Sequence, residues 1–343
     1  MLTFHDHRTQ NRRSTSELAG GELIAPLECP ERVDMIADRI REVGLGDIRG
    51  ATMHGLEPIA AVHDPAYIDF IENAWADWRA AGYTGEAIAT VWPTRRTRSD
   101  FVPQNIDGKL GYYALAAETA IEAGTWEAAR ASVDIALTAL DHVQTTGEAA
   151  FGLCRPPGHH AAFDQYGGYC FFNNAAIAAQ AAREAGASRV AILDVDYHHG
   201  NGTQQIFYDR DDVLFVSLHC DPVHEFPHYL GRPDERGTGA GEGYNRNHAL
   251  PPGTDYTTWV AELEAAMRGI DDYDPDLVIV SLGVDTFEGD PIGSFKLVSD
   301  DFTDYGRRLA GMKRPTLFLM EGGYAVAEIG INAVNVLAGF DRG

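Results

Sequence analysis

An open, doubly wound parallel α/β sheet with helices on both faces is the fold class this sequence predicts. Two observations predict it. Short apolar runs alternate along the chain with stretches of helical periodicity. The runs are apolar at nearly every position rather than at every second one, as in strands buried on both faces of a parallel sheet.

In chain order, helical periodicity opens at 31–43 and returns at 66–79, 109–122 and 126–143. A weaker strand signal covers 148–153, followed by a helix over 174–186 and strands over 189–193 and 213–218. A glycine- and charge-rich stretch at 231–243 reads as an exposed loop. A helix over 256–270, strands over 277–282 and 316–320, and a helix over 326–338 complete the pattern. The segment 82–108 shows neither period. It is long for a structureless connection, which points to a functional or interface role, and its Trp92, Phe101 and arginines read as exposed. With no repeat, linker or composition break, residues 1–343 read as a single domain.

Composition narrows the function. Hydrophobic residues at 45% of 343 suffice for a sizeable core. Against 51 acidic residues stand 27 basic ones, a net charge of −24. Such a surface repels phosphates, so nucleic-acid binding is not expected, and it attracts cationic substrates. The four cysteines, Cys29, Cys154, Cys170 and Cys220, lack any Cys-x-x-Cys spacing, so neither a disulfide framework nor a thiolate zinc site is suggested. Reduced thiols, no signal-peptide core and no run of 18 apolar residues predict a cytoplasmic protein that does not span a membrane.

The chemistry is positional. The run at 148–153 leads into Arg155-Pro156-Pro157-Gly158-His159-His160, and that at 189–193 into Asp194-Val195-Asp196-Tyr197-His198-His199-Gly200-Asn201-Gly202. The remaining three lead to His219, to Gly283-Val284-Asp285 and to Glu321-Gly322-Gly323-Tyr324. Ligands bind beyond the carboxyl ends of strands in open α/β sheets, so five such ends converge on one site. Asp196 and His198 flank one residue and can point the same way. With Asp285 they give three ligands and an open position, the pattern of a catalytic zinc. Asp194 is placed either to orient His159 or to bind a cation. Ser217 and Leu218 offer oxygen to a monovalent cation, or Ser217 makes an ordinary strand-end hydrogen bond. His159 and His160, stiffened by Pro-Pro-Gly, suit a base and an electrostatic helper beside a metal. Tyr324 is a neutral donor for an oxyanion.

These motifs, with Gly167-Gly168-Tyr169-Cys170-Phe171, resemble the histone deacetylase superfamily, and within it the bacterial acetylpolyamine amidohydrolases, over essentially the full length. The resemblance implies an arginase-like fold and zinc on Asp196, His198 and Asp285. It makes His160 the general base, His159 its partner and Tyr324 the oxyanion donor. It also implies a structural potassium ion at Asp194, Asp196, His198, Ser217 and Leu218, and a weaker one at Phe207, Arg210 and Val213. Tyr169 and Phe226 would wall a narrow channel. Glu17 and Asp107 would face the substrate amine, Asp107 from the neighbouring subunit of a homodimer formed through 82–108. Asn201 stands where many histone deacetylases pair a carboxylate with the second histidine, which lowers the expected pKa of His160.

The expected reaction is hydrolysis of the acetyl amide of a small cationic amine. Protein acetyl-lysine deacetylation is the alternative with the same machinery. A two-metal ureohydrolase would need carboxylates at positions 200 and 287, where Gly200 and Phe287 stand, and a dead acyl-lysine reader would have lost a residue such as His160 or Tyr324.

Overall fold

The computed structural model describes residues 1–343. Ten strands occur: β1 (Leu2–His5), β2 (Glu17–Ala19), β3 (Glu22–Ile24), β4 (Ile48–Gly50), β5 (Ala150–Gly152), β6 (Val190–Asp194), β7 (Val213–Cys220), β8 (Asn245–Leu250), β9 (Leu277–Leu282) and β10 (Thr316–Met320). The ten α-helices are α1 (Glu31–Val43), α2 (Glu57–Ala60), α3 (Pro65–Ala80), α4 (Ile106–Tyr113), α5 (Thr125–Thr146), α6 (Asn174–Glu184), α7 (Asn201–Phe207), α8 (Tyr256–Tyr273), α9 (Ser299–Ala310) and α10 (Val326–Asp341).

Eight strands form one sheet in the order β4-β1-β5-β10-β9-β6-β7-β8, with every neighbouring pair parallel. Alternation splits its side chains between two cores. Ile192, Phe215, Ile279 and Leu319 face one cluster with α3, α4, α5 and α6. Leu193, Val216, Val280 and Phe318 face the other, with α1, α8, α9 and α10. Both faces are therefore covered, and the central strands are apolar throughout because each residue has a core to enter. The separate hairpin β2–β3 turns on Gly20 and Gly21, at φ of 58° and 86°. Two adjacent left-handed residues are what a type I′ hairpin turn requires.

The topology positions the site. From β6 the chain runs outward to β7 and β8, then returns to β9 on the other side of β6. The α7 crossover contributes Phe207 to one core and the α8 crossover packs in the other. A crevice therefore opens beyond the carboxyl ends of β6 and β9, the switch point at which open α/β sheets bind ligands.

Three expectations need correction. The helix expected over 109–122 runs instead over Ile106–Tyr113, and Ala114 ends it in extended backbone. Its N-cap is Asn105, whose side chain accepts the Asp107 N–H. The apolar residues after Tyr113 anchor loop segments: Leu115 N donates to Tyr166 O and Ile121 pairs with Ala87. Trp92, read as exposed, is half-buried against the core with Nε1 on Ala114 O at 3.0 Å, whereas Phe101 is exposed. Strands β1, β2, β3, β4 and β8 and helices α2, α7 and α9 lie outside the elements read from the sequence. No helix is long and apolar enough to cross a membrane.

Candidate metal centre and active site

The β6 strand ends at Asp194, so Asp196 and His198 lie in the turn before α7, and Asp285 lies three residues past β9. Ligand atoms of Asp196, His198 and Asp285 lie within 4.8 Å of one another, and all three residues are buried. His198 Nδ1 is 3.1 Å from Asp285 Oδ2 and 3.4 Å from Asp196 Oδ1. The backbone fixes both carboxylates: Gly322 N donates to Asp196 Oδ2 at 2.8 Å, and Tyr197 N to Asp285 Oδ1 at 2.8 Å. Gly322 is required here, because a Cβ would meet oxygens of both carboxylates. Gly283 faces the same constraint from Asp196.

The donor set fits a divalent cation. Burial and the charge of Asp196 push the Asp285 carboxyl up to about 8, against the pull of His198. Burial also disfavours the Asp196 anion, but the charges of His159 and His198 outweigh it and hold that carboxyl low. Two buried carboxylates and one imidazole thus compete for protons that a cation replaces. Two oxygens and one nitrogen with room for a further ligand suit a catalytic zinc site.

The two histidines follow β5, in the Pro-Pro-Gly loop. His159 Nδ1 is 3.0 Å from Asp194 Oδ2, and its Nε2 is 3.8 Å from Asp196 Oδ1. Burial opposes its charge, yet Asp196 and Asp194 lift its pKa to about 10. His160 Nδ1 lies 2.7 Å from Asn201 Oδ1, while Asn201 Nδ2 donates to His160 O, so the amide oxygen accepts from Nδ1–H. That leaves Nε2 unprotonated. Burial, then the charges of His159 and His198, push the His160 pKa well down. One imidazole is thus held charged and its neighbour neutral, with ring centroids 4.0 Å apart.

A cavity of about 170 Å³ opens on this centre, with His160, His198 and Tyr324 among its lining residues. Tyr169 and Phe226 are also in its walls, Phe226 at 5.0 Å from the His160 ring and Tyr169 at 5.4 Å from the Tyr324 ring. Burial raises the Tyr324 hydroxyl far above its ordinary pKa, so it stays a donor. Its backbone is held by Asp290 Oδ2, which accepts from Tyr324 N at 2.6 Å. Arg32 clamps the same loop from α1, donating to Gly323 O and Glu321 O, with its guanidinium 5.0 Å from the Tyr324 ring.

Other residues singled out in the sequence fall elsewhere. Glu17 is buried off the cavity, where its carboxylate accepts from Tyr169 Oη at 2.6 Å and Leu27 N at 3.0 Å. Asp107 sits at the start of α4 near Thr90 and does not line the cavity of its own chain. Asp194 is level with Ser217 in the β6–β7 register. Ser217 Oγ lies 2.8 Å from His219 Nδ1, whose Nε2 is 2.8 Å from Gly231 O. Since a carbonyl can only accept, Nε2 carries the hydrogen and Ser217 donates, which leaves its lone pairs free. Phe207, Arg210 and Val213 flank the α7–β7 turn, where Phe207 O accepts Arg210 N at 3.1 Å. Glu118 and Glu225 line the cavity although the sequence did not single them out. Asp290 and Arg32 were missed too; Arg32 falls in register with the apolar Ile36 and Ile40 of α1, a signal of burial.

Fold and centre together define a metal-dependent amidohydrolase. A family profile described as "Histone deacetylase domain" matches residues 26–340, and the chain belongs to that family. It is 54% identical to "Acetylpolyamine amidohydrolase 2" of Pseudomonas aeruginosa, over 99% of each chain. Identity to "Acetylpolyamine amidohydrolase" of Mycoplana ramosa is 52%, over 99% of this chain and 98% of that one. The crystal structure of an acetylpolyamine aminohydrolase from Burkholderia pseudomallei superposes with a TM-score of 0.94 at 36% identity, covering 99% of this chain and 98% of that one.

Proposed function

We propose that the chain hydrolyses the acetyl amide of acetylated polyamines, releasing acetate and a free amine, with zinc on Asp196, His198 and Asp285. The observation that carries this reading is one cavity that reaches the metal-ligand triad at His198 and is lined by a neutral histidine and a hydroxyl donor, between two aromatic rings. When bound, zinc supplies a Lewis acid that polarises the acetyl carbonyl and acidifies the attacking water. His160 accepts the water's proton at Nε2 and returns it to the leaving nitrogen. His159, fixed on Asp194 Oδ2, stands against the His160 ring as its electrostatic partner. Tyr324 donates to the carbonyl oxygen as it gains charge. Tyr169 and Phe226 hold the methylene chain, and Glu17 acts on the substrate through the Tyr169 hydroxyl it fixes.

The proposal extends to a structural potassium ion among Asp194, Asp196, His198, Ser217 and Leu218, supported by the free lone pairs of Ser217, and to a weaker site at Phe207, Arg210 and Val213. It also takes residues 1–343 as one deacetylase domain in a cytoplasmic homodimer, with 82–108 as the dimerising insertion and Asp107 reaching the neighbouring cavity. Exposed Val91, Phe101 and Val102 in that segment support an interface.

The test is a substrate panel with metal content measured in parallel. Zinc-loaded protein is expected to cleave acetylputrescine or acetylspermidine with a higher kcat/KM than acetyl-lysine peptides. A preference for the peptides would replace this reading with protein deacetylation.

A further inference from the structure

We propose that Glu225 is a specificity-determining residue of this cavity, holding the free ammonium of an acetylated diamine; the inference rests on the amidohydrolase reading above. Glu225 lines the cavity beside Phe226, while Glu118 lines it beside Tyr169, tied to Gly168 N at 2.7 Å. Each aromatic wall thus carries one carboxylate. Glu225 is also fixed in place. Its Oε1 accepts from Phe226 N at 3.0 Å and its Oε2 from the Tyr197 hydroxyl at 3.2 Å. Tyr197 is itself buried, lies between the ligands Asp196 and His198, and is braced by Ser294 Oγ at 2.7 Å. The carboxylate is therefore set relative to the metal centre rather than free to swing on a surface loop.

Both donors to Glu225 are neutral, a hydroxyl and a backbone N–H, so no cation of the protein is paired with the carboxylate. That charge stands in a small cavity between aromatic walls, where water screens it less than on an open surface. An ammonium supplies what the site lacks, and a preformed carboxylate binds it with little further loss of side-chain freedom. A neutral alkyl amide gains nothing from this contact. A peptide acetyl-lysine presents backbone amides instead of a cation at the far end of its chain. The geometry therefore favours a slender amide with a terminal ammonium.

The experiment compares N-acetylputrescine with its neutral isostere N-pentylacetamide, on zinc-loaded wild type, Glu225→Gln and Glu225→Asp. The readout is the ratio of the two kcat/KM values. Wild type is expected to prefer the cationic amide. Glu225→Gln is expected to lower the ratio about tenfold, with the loss in KM for the cationic amide rather than in kcat. Glu225→Asp should recover part of it, and raised salt should shrink the wild-type preference. An unchanged ratio in Glu225→Gln overturns the inference, as does an equal loss on both amides, which would mark a merely structural role. A fully zinc-loaded wild type that cleaves neither amide overturns the amidohydrolase reading itself.

Discussion

At the residue scale the site works by giving similar groups opposite states. His159 and His160 are adjacent and both buried, yet Asp194 and Asp196 hold the first charged while an amide oxygen leaves the second neutral. Tyr324→Phe removes one oxyanion donor and nothing that binds metal. Turnover is expected to fall roughly 10²–10³-fold with zinc content and KM little changed, measured by steady-state kinetics beside metal analysis. A loss below about tenfold would argue against the donor role. Asp285→Ala removes one of three ligands, and dialysed protein is expected to lose both zinc and activity. Most residues these predictions use were legible in the sequence, because each follows an apolar strand within a few positions. Glu118 and Glu225 were not, because no strand end announces them. They reach the cavity through tertiary packing of loops, which periodicity does not report. Glu17, expected to face the substrate amine, has its carboxylate on the Tyr169 hydroxyl, a contact across 152 residues that no local pattern announces.

At the scale of elements, the central strands were legible because burial on both faces leaves an unbroken apolar signature. The edge strands β4 and β8 and the short β1 beside β4 lack it. Asn245-Arg246-Asn247-His248 in β8 is polar, and its Asn245 and Asn247 side chains bond to Gln204. Helix α9 was missed although it is strongly amphipathic: its apolar stripe is only Phe302, Tyr305 and Leu309, set among the five charged residues Asp300, Asp301, Asp304, Arg307 and Arg308. The loop after β10 yields a sharper test of how elements build the site. Gly322 N donates to Asp196, and a side chain at Gly322 would press on the carboxylates of Asp196 and Asp285. Gly322→Ala is therefore expected to weaken zinc binding at least tenfold, in the range seen when groups that orient metal ligands are lost, while the sheet stays folded. Chelator competition measures the first and circular dichroism the second. Unchanged zinc affinity would show that the loop yields freely.

Across the whole molecule, one buried carboxylate ties together parts of the chain that are far apart in sequence. Glu28 accepts from Arg12 at 2.8 Å, from Arg32 at 3.1 Å and from Arg155 at 2.7 Å. All four side chains are buried, so three cations share one anion. Backbone carbonyls take the surplus donors: Arg155 bonds Thr9 O and Arg12 O, Arg12 bonds Ala120 O, and Arg32 bonds the Glu321 and Gly323 carbonyls beside Tyr324. The N-terminal segment, α1, the end of β5 and the active-site loop after β10 therefore meet at Glu28. Burial alone would raise its pKa, but the charges of Arg155, Arg12 and Arg32 outweigh it and bring the carboxyl down to about 2, below its ordinary 4.5. A depressed folded-state pKa means that the unfolded chain binds the proton more readily. The stabilisation is fully present above pH 4.5 and is lost as pH falls from there through about 2. Glu28→Gln removes the anion at every pH and leaves three buried guanidinium groups uncompensated. At neutral pH it is expected to cost about 3–5 kcal/mol, read from denaturant unfolding with zinc bound. The wild-type advantage over Glu28→Gln should narrow steadily as the pH is taken below 4.5. A variant as stable as wild type at pH 7, or a difference that does not shrink in acid, would show that the arginines are satisfied by the carbonyls alone.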